Sequence, residues 1–545
     1  MMGYKGVICI CAGLLSGICA VAQNFNESVE VTNDLVVDMS GLQRKTIEIQ
    51  VPDSLSEFKL KFDYSVFSKP YKGAYEFTPY NVLFRPISSE QRAPWLYVNA
   101  GAGFAFAPVV DIVANVKVGE KLHLGFYQDF DAYVGSYRGK SSDYSGYELS
   151  ERVGACGYAF LKPFNFFFDT FYQGMWVRDL ELSGDPFHAF GFQGAINSDG
   201  HKVRSVDYEL NVDYRFSKDY LLGLKALGEN ALELKGRVSP LALTSNIYKF
   251  DLYYETGLDV YSGISKSGVK YIKMNPRMTF DWGKAKVSVG VKASNHWYHD
   301  YTYSFRLYPD LEASFALFNA HSEVLLGMTG YDQQNSHYTF KQANPHFNAS
   351  YFETTGSELK ESREYLNAFL GLRGSVKSCF QYDFRAGYAD KGYMPLYALR
   401  DVGNTSEALR LVYGRYDGMY LTARLLWHLK SWDIKSYSEF QDVSLNMGSD
   451  AFMPAAFRTS FDMTYNKMER IFAGVSIDYM GERHSKTMGS LPQYIDVGLH
   501  GEYRMNKDLS FWLKAENILG QRVESVPFTS RRFPVLTVGL RLILR

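Results

Sequence analysis

Over the last thirteen residues of this chain, Leu536, Val538, Leu540, Leu542 and Leu544 share one parity. Thr537, Gly539, Arg541 and Arg545 share the other, with Ile543 the one apolar exception. Successive side chains of a strand point to opposite faces, so this is a strand with one apolar and one polar face. The same period recurs from Pro94 onward. Val287, Val289, Val291 and Ala293 oppose Lys286, Ser288, Gly290, Lys292 and Ser294. Leu366, Ala368, Leu370 and Leu372 oppose Asn367, Gly371 and Arg373, and Val110, Ile112, Ala114, Val116 and Val118 oppose Asp111, Asn115 and Lys117. A chain that alternates this persistently is built from amphipathic strands, and the remaining question is what covers the apolar face.

Composition points to lipid. Aromatic residues make up 16% of the chain, with 41 Tyr, 39 Phe and 7 Trp. Tyr and Trp favour membrane–water interfaces, where one end of the ring is apolar and the other wet. Mean hydropathy is only −0.22, but a barrel hides its hydrophobicity from an average because every second residue faces the lumen. The net charge of −1 offers no basic field for nucleic acid. The N-terminus has the layout of a secretory leader: Lys5, an apolar stretch over 6–19, and Ala20-Val21-Ala22 as the cleavage site. Its removal leaves Cys156 and Cys379, expected as two free thiols. Past the leader, no apolar run reaches the roughly 20 residues of a transmembrane helix.

These features predict an all-β chain: a transmembrane antiparallel β-barrel of about 22 strands over 94–545, a leader over 1–22, and a small β/loop segment over 23–93. In that segment Ile47, Ile49 and Val51 alternate with polar neighbours, and Pro52, Pro70, Pro79 and Pro86 interrupt any central strand. It is expected in the periplasm or in the lumen. Within the barrel, strands are expected over 164–178, 202–216, 219–227 and 231–240 among others, with 179–201 as a long loop. Stretch 408–429 holds one parity through Asp417-Gly418 and is expected as one long strand. Short links should alternate with long loops, as periplasmic turns do with extracellular loops. An even count would let 533–545 close the cylinder against 94–106.

The C-terminal motif carries a resemblance. Ala515-Glu516-Asn517-Ile518-Leu519, then Arg522, then Val538-Gly539-Leu540-Arg541-Leu542 resembles the last two strands of TonB-dependent receptors, and residues 27–32 (Glu-Ser-Val-Glu-Val-Thr) resemble a TonB box. The chain departs from that pattern in three places. Stretch 23–93 is too short for the family's plug domain, Arg531-Arg532-Phe533-Pro534 replaces its Pro-Gly-Arg, and Arg545 replaces its aromatic terminus. The whole looks like a plugless, receptor-like barrel of the kind common in Bacteroides-type bacteria. The resemblance implies the outer membrane of a Gram-negative bacterium and transport of solutes across it. Its expected partners are outer-membrane lipids, the barrel assembly machinery, and a lipoprotein or TonB-system component. The alternative is a non-transporting scaffold that docks a surface lipoprotein or a periplasmic partner.

Candidate chemistry is sparse. His296, His299 and Asp300 form an H-x-x-H-D cluster with metal-ligand residue types, but on a strand the two histidines face opposite ways, and the surrounding Trp and Tyr fit an interfacial belt better. No metal or other cofactor is expected. Charges on the inward parity are Asp111, Lys117, Lys286, Lys292, Arg373, Arg424, Asp478, Lys514, Glu516 and Arg541. They are the candidate lumen lining, and their mixed signs favour cross-lumen pairing over an ion-selective ring. Gly-Ser-Tyr-Arg-Gly at 135–139 lacks the strand–turn–helix setting of a nucleophile elbow, and no enzyme activity is expected. Loops 179–201 and 334–364, with 23–93, are expected to narrow the lumen.

Overall fold

The computed structural model describes residues 94–545 apart from 105, 120, 138–143, 162–163, 179–182, 199–205, 221–225, 264–265, 300–302, 318–320, 346, 348–358, 378, 400–408, 448–450, 487–488 and 525–532. The expected leader and the segment 23–93 lie outside the described residues. In chain order the strands are β1 Leu96–Phe104, β2 Val109–Val118, β3 Leu122–Tyr137, β4 Tyr144–Leu161, β5 Phe164–Arg178, β6 Ser183–Ser198, β7 Val206–Asp219 and β8 Leu227–Pro240. They continue as β9 Tyr248–Gly263, β10 Ser267–Asp281, β11 Ala285–Tyr298, β12 Tyr303–Leu317, β13 Ser322–Gln333, β14 Ser362–Val376, β15 Phe380–Leu399 and β16 Leu409–Leu429. The last are β17 Trp432–Met447, β18 Phe457–Lys467, β19 Ile471–Met480, β20 Arg483–Ser485, β21 Gly489–Leu491, β22 Tyr494–Arg504, β23 Leu509–Glu516 and β24 Val535–Leu544. One helix, α1 His337–Ala343, lies between β13 and β14.

Every strand except β20 and β21 belongs to one 22-stranded antiparallel sheet. The sheet closes where β1 pairs with β24, from Leu96 opposite Leu544 to Phe104 opposite Leu536. Closure removes the sheet edge and satisfies the backbone internally, which an apolar surrounding requires. The terminal strand therefore closes the cylinder as its alternation predicts. β20 and β21 form a separate small hairpin in the connection from β19 to β22.

The two faces separate cleanly. On β24, Leu536, Val538 and Leu540 are 43–54% exposed, whereas Thr537 between them is 4% exposed. On β11, Val289 and Val291 are exposed while Ser288, Ser294 and His296 are buried. The apolar parity is thus the outer girdle, and the polar parity faces inward. Several strands exceed the roughly 9–11 residues needed to span hydrocarbon; β15 has 20 and β16 has 21. β16 runs unbroken through Asp417-Gly418, as its parity predicts.

Two strand assignments need correction. Residues 179–201 are mostly β6 rather than a loop. Conversely, the expected strand 219–227 does not stand as one of its own: Asp219 ends β7, Leu227 begins β8, and 221–225 lie outside the described residues. The expected count of 22 survives because one missed strand and one surplus strand cancel. The physical cause of the miss lies on the inner face of β6. Phe187 and Ala189 point inward and are fully buried, while Phe190 and Phe192 point outward. With both faces apolar, the period of two disappears. Gly191 adds to the disguise, since it suggests a loop. It is needed because a Cβ there would lie 2.2 Å from the Phe171 ring.

Candidate functional site: a lumen crossed by an inserted segment

The connection from β13 to β14, residues 334–361, is where the interior is built. Ser336 caps α1: its Oγ accepts from the Thr339 N–H at 3.1 Å, and Thr339 Oγ1 accepts from the Ser336 N–H at 3.1 Å. This reciprocal pair satisfies two donors that a helix start leaves open. The segment's ends are tied together, with Asn335 Nδ2 donating to Lys360 O at 2.6 Å. Phe340, Phe347 and Leu359 then pack with Leu227 of β8, Tyr261 of β9 and Leu411 of β16 in one buried apolar cluster. β8 and β9 are paired neighbours, but β16 lies far round the sheet from them, so the described part of the segment bridges the interior rather than lying along one wall.

Its anchor is Glu229 on β8, only 2% exposed. One carboxylate oxygen accepts from the His337 N–H at 2.9 Å and the Tyr261 hydroxyl at 3.1 Å. The other accepts from the Tyr338 N–H at 2.9 Å and the Ser217 hydroxyl at 3.1 Å. A buried carboxylate is tolerated when its lone pairs are filled this way, and the start of a helix is a favourable place for it. Asp219, at the end of β7, meets His337 Nε2 at 2.8 Å and Lys341 Nζ at 3.7 Å. The Tyr338 hydroxyl donates to Gln173 Oε1 on β5 at 3.1 Å, and Gln173 donates in turn to Gln342 at 3.1 Å. The Arg215 guanidinium lies 5.0 Å from the Tyr338 ring centre. Burial pushes the Tyr338 phenol above its ordinary range.

Beside this anchor the inner wall is laid with paired charge. Lys273 Nζ is 2.7 Å from Glu255 and 3.6 Å from Asp332. Arg277 bridges Asp310 at 3.5 Å and Glu312 at 2.7 Å, and Lys235 meets Glu233 at 2.7 Å. Each of these cations is paired with at least one carboxylate on the wall.

The sequence-predicted residues are spread around the wall. Asp111 accepts from Asn99 Nδ2 at 2.7 Å. Lys292 contacts Asp310 at 3.4 Å and donates to Thr329 at 2.7 Å. Arg373 pairs with Glu323, Arg541 with Glu502, and Lys514 with Glu516 at 2.8 Å. Arg424 lies 5.2 Å from the Tyr437 ring. Lys117, Lys286 and Asp478 are exposed. Lys514, Glu516 and Arg541 line a common hollow. The histidine cluster does not assemble. His296 is fully buried, stacked on Tyr271 at 5.5 Å with its Nδ1 4.0 Å from Asp332. His299 sits in the exposed turn after β11, and Asp300 lies outside the described residues. Among the described residues, no group of three His, Cys, Asp or Glu side chains is placed to hold a metal ion.

The residues that organise the interior, Glu229, Asp219, His337 and Tyr338, are not among those the sequence pattern selects. Asp219 opens the expected strand 219–227, and Glu229 falls between it and the expected strand 231–240. One signal was available: Ser336-His337-Tyr338-Thr339 has the Ser/Thr spacing of a helix cap inside an otherwise long loop.

Fold and interior together define a class: a wide antiparallel barrel with an apolar girdle, an ion-paired lumen and one segment latched across it. Solved structures with the barrel fold are similar to this chain. A mutant of the ferric enterobactin receptor PfeA from Pseudomonas aeruginosa superposes with a TM-score of 0.59 at 11% identity, covering 82% of this chain and 79% of that one. The copper transporter OprC gives 0.61 at 10% identity, covering 82% and 80%. The ferric-catecholate import receptor Fiu from E. coli K12 gives 0.62 at 9% identity, covering 82% and 81%. At such identities the likeness is one of fold. No protein-family profile matches the chain, and no curated protein matches it either.

Proposed function

We propose that this chain is an outer-membrane transport barrel of the TonB-dependent receptor-like type, which passes a solute through a lumen controlled by the segment 334–361. One observation carries the reading: the ion-paired interior of an apolar cylinder holds a segment docked through two buried carboxylates, Glu229 at the start of its helix and Asp219 against His337 and Lys341. A purely structural barrel has no need of a removable latch. The fold neighbours are named for uptake of ferric siderophores and of copper, which supports transport without fixing the solute. On this reading Asp111, Lys117, Lys286, Lys292, Arg373, Arg424, Asp478, Lys514, Glu516 and Arg541 line the path. Residues 27–32 would meet a TonB-like partner, and the brevity of 23–93 fits the plugless, Bacteroides-type arrangement. The location is then the outer membrane of a Gram-negative bacterium, with girdle residues such as Leu540 against lipid. The test is conductance in planar bilayers, measured with the whole chain and with 23–93 deleted. A barrel silent in both forms overturns the transport reading.

The alternative of a docking scaffold rests on a different observation. Where the longer connections lie, they are tied to one another. The Met453 N–H donates to His484 O at 2.9 Å, and Arg483 donates to the Glu524 carbonyl. Such a braced surface would suit a stable partner. Affinity purification from native membranes separates the readings, since a scaffold requires a stoichiometric partner and a transporter does not.

A further inference from the structure

Two acidic side chains meet one phenol where the inserted segment docks. The Tyr261 hydroxyl oxygen of β9 is 3.1 Å from Glu229 Oε1 and 2.7 Å from Asp259 Oδ2, and it also receives the His337 N–H at 3.3 Å. A phenol has one hydrogen to give. It cannot satisfy two ionised carboxylates at once, so a second hydrogen has to come from one of the acids. Glu229 is the better anion, because four donors fill its two oxygens. Asp259, 3% exposed, has the phenol at Oδ2 and meets no donor at Oδ1. Its partners across the sheet are Ala231 of β8 and Val269 of β10, both buried and apolar. Ionised there, it would be a buried charge with neither a cation nor a set of donors.

The other charges facing this place have partners of their own. On β7, Arg215 is 2.9 Å from Asp213, and Asp219 meets His337 and Lys341 of α1. Glu233 of β8 meets Lys235 at 2.7 Å and accepts from the Tyr271 hydroxyl of β10 at 3.0 Å, while Lys273 meets Glu255. Tyr338 donates to Gln173.

We infer, resting on the reading that 334–361 controls the lumen, that Asp259 takes up a proton from solvent when the segment docks and returns it on release, a latch that acid holds and alkali frees. The Asp259 O–H then donates to the Tyr261 oxygen, and Tyr261 donates to Glu229. The segment itself is the cover: Phe340, Phe347 and Leu359 share one buried cluster with Tyr261. Once it leaves, Asp259 meets water and ionises as an ordinary aspartic acid does, near pH 4. Above that value the docked state holds one proton more than the released state. Docking is therefore strongest in acid and weakens by about tenfold per pH unit as pH climbs, until docked Asp259 itself ionises. Phenols ionise only near pH 10, so Tyr338 is silent around neutrality.

The test uses the full chain in detergent micelles between about pH 6 and pH 8. Cleavage by trypsin after Lys341, divided at each pH by cleavage of a free lysyl peptide, reads the released fraction. It should rise roughly tenfold per pH unit in the parent chain. Asp259→Asn, which mimics the protonated acid, should stay docked and lose that slope. The infrared band of a protonated carboxyl should be present in the parent near neutral pH, be absent in Asp259→Asn, and fade over the pH range in which Lys341 becomes cleavable. A parent chain without that band overturns the inference whether or not the variant folds. So does a slope unchanged in an Asp259→Asn barrel folded by its heat-modifiable gel mobility, or free cleavage of that barrel at every pH. Failure of the transport reading shows separately, as absence of bilayer conductance; protection at Lys341 and the carboxyl band are measured without it.

Discussion

Glu229→Gln should release the inserted segment from the wall. The substitution is nearly isosteric, so β8 itself is undisturbed, and the change falls on the two backbone N–H groups of His337 and Tyr338 that the carboxylate receives. A hydrogen bond to a charged group contributes about 1.5–3 kcal/mol, and a buried donor left unmet costs about 1–3 kcal/mol. Gln keeps one acceptor oxygen, but its NH2 must face the other N–H. Losing one charge-assisted bond and orphaning one donor together cost about 3–5 kcal/mol against the docked state, in line with breaking a buried ionic contact. At about 1.4 kcal/mol per tenfold, the docked-to-released ratio falls by roughly a hundredfold to a few thousandfold. Two measurements report it. Conductance of the variant in planar bilayers should rise, and trypsin should cut after Lys341, which is 5% exposed while docked. Unchanged conductance together with full protection at Lys341 would refute the latch.

Other perturbations separate the lipid girdle, the lumen and the docked helix. Leu540→Arg should destabilise the barrel by about 2–4 kcal/mol in urea titrations in vesicles if Leu540 lies near the midplane, whereas Arg541→Gln, which leaves Glu502 in a hydrated interior, should cost less than about 1 kcal/mol. Equal tolerance of the two would reverse the facing of β24. Because burial raises the Tyr338 phenol, its contribution to docking is complete below the free-phenol value of about 10 and is lost as pH climbs above it. Conductance should therefore increase on the alkaline side, and Tyr338→Phe should flatten that rise. Cys156 and Cys379 are both free in the structure, so mass spectrometry under non-reducing conditions should find no bond between them.

The architecture was legible because it depends on a property each strand declares locally. Apolar and polar residues alternate wherever one face meets lipid and the other meets charge, and β11, β16 and β24 show that signature without help from the rest of the chain. Closure followed from an even count and from the terminal strand. The interior was much less legible. Which inward charges meet depends on the register between strands and on their stagger around the cylinder, neither of which alternation records. Arg277 reaches Asp310 and Glu312 on β12, a relation invisible in either strand alone. His296 and His299 fail as a pair for a reason the period does supply, since three residues along an extended chain reverse the face.

The error over β6 is the most informative of these outcomes. A barrel strand whose inner face meets water must carry polar residues there, so an apolar inner face implies that something dry covers it. Phe187 and Ala189 are that face, and Met175 of β5 and Tyr338 of the inserted segment are what they pack against. The loss of alternation over 183–198 and the insertion of 334–361 are therefore two sides of one contact. The same logic gives a test. Ala189→Lys would restore the polar alternation of a water-lined wall, but it would place a charge where Tyr338 now packs. It should weaken docking of α1 while leaving the barrel closed, with raised conductance and unchanged heat-modifiable mobility. If Ala189→Lys instead abolished folding of the barrel, the inner face of β6 would belong to the cylinder's own stability and not to the docking of the segment.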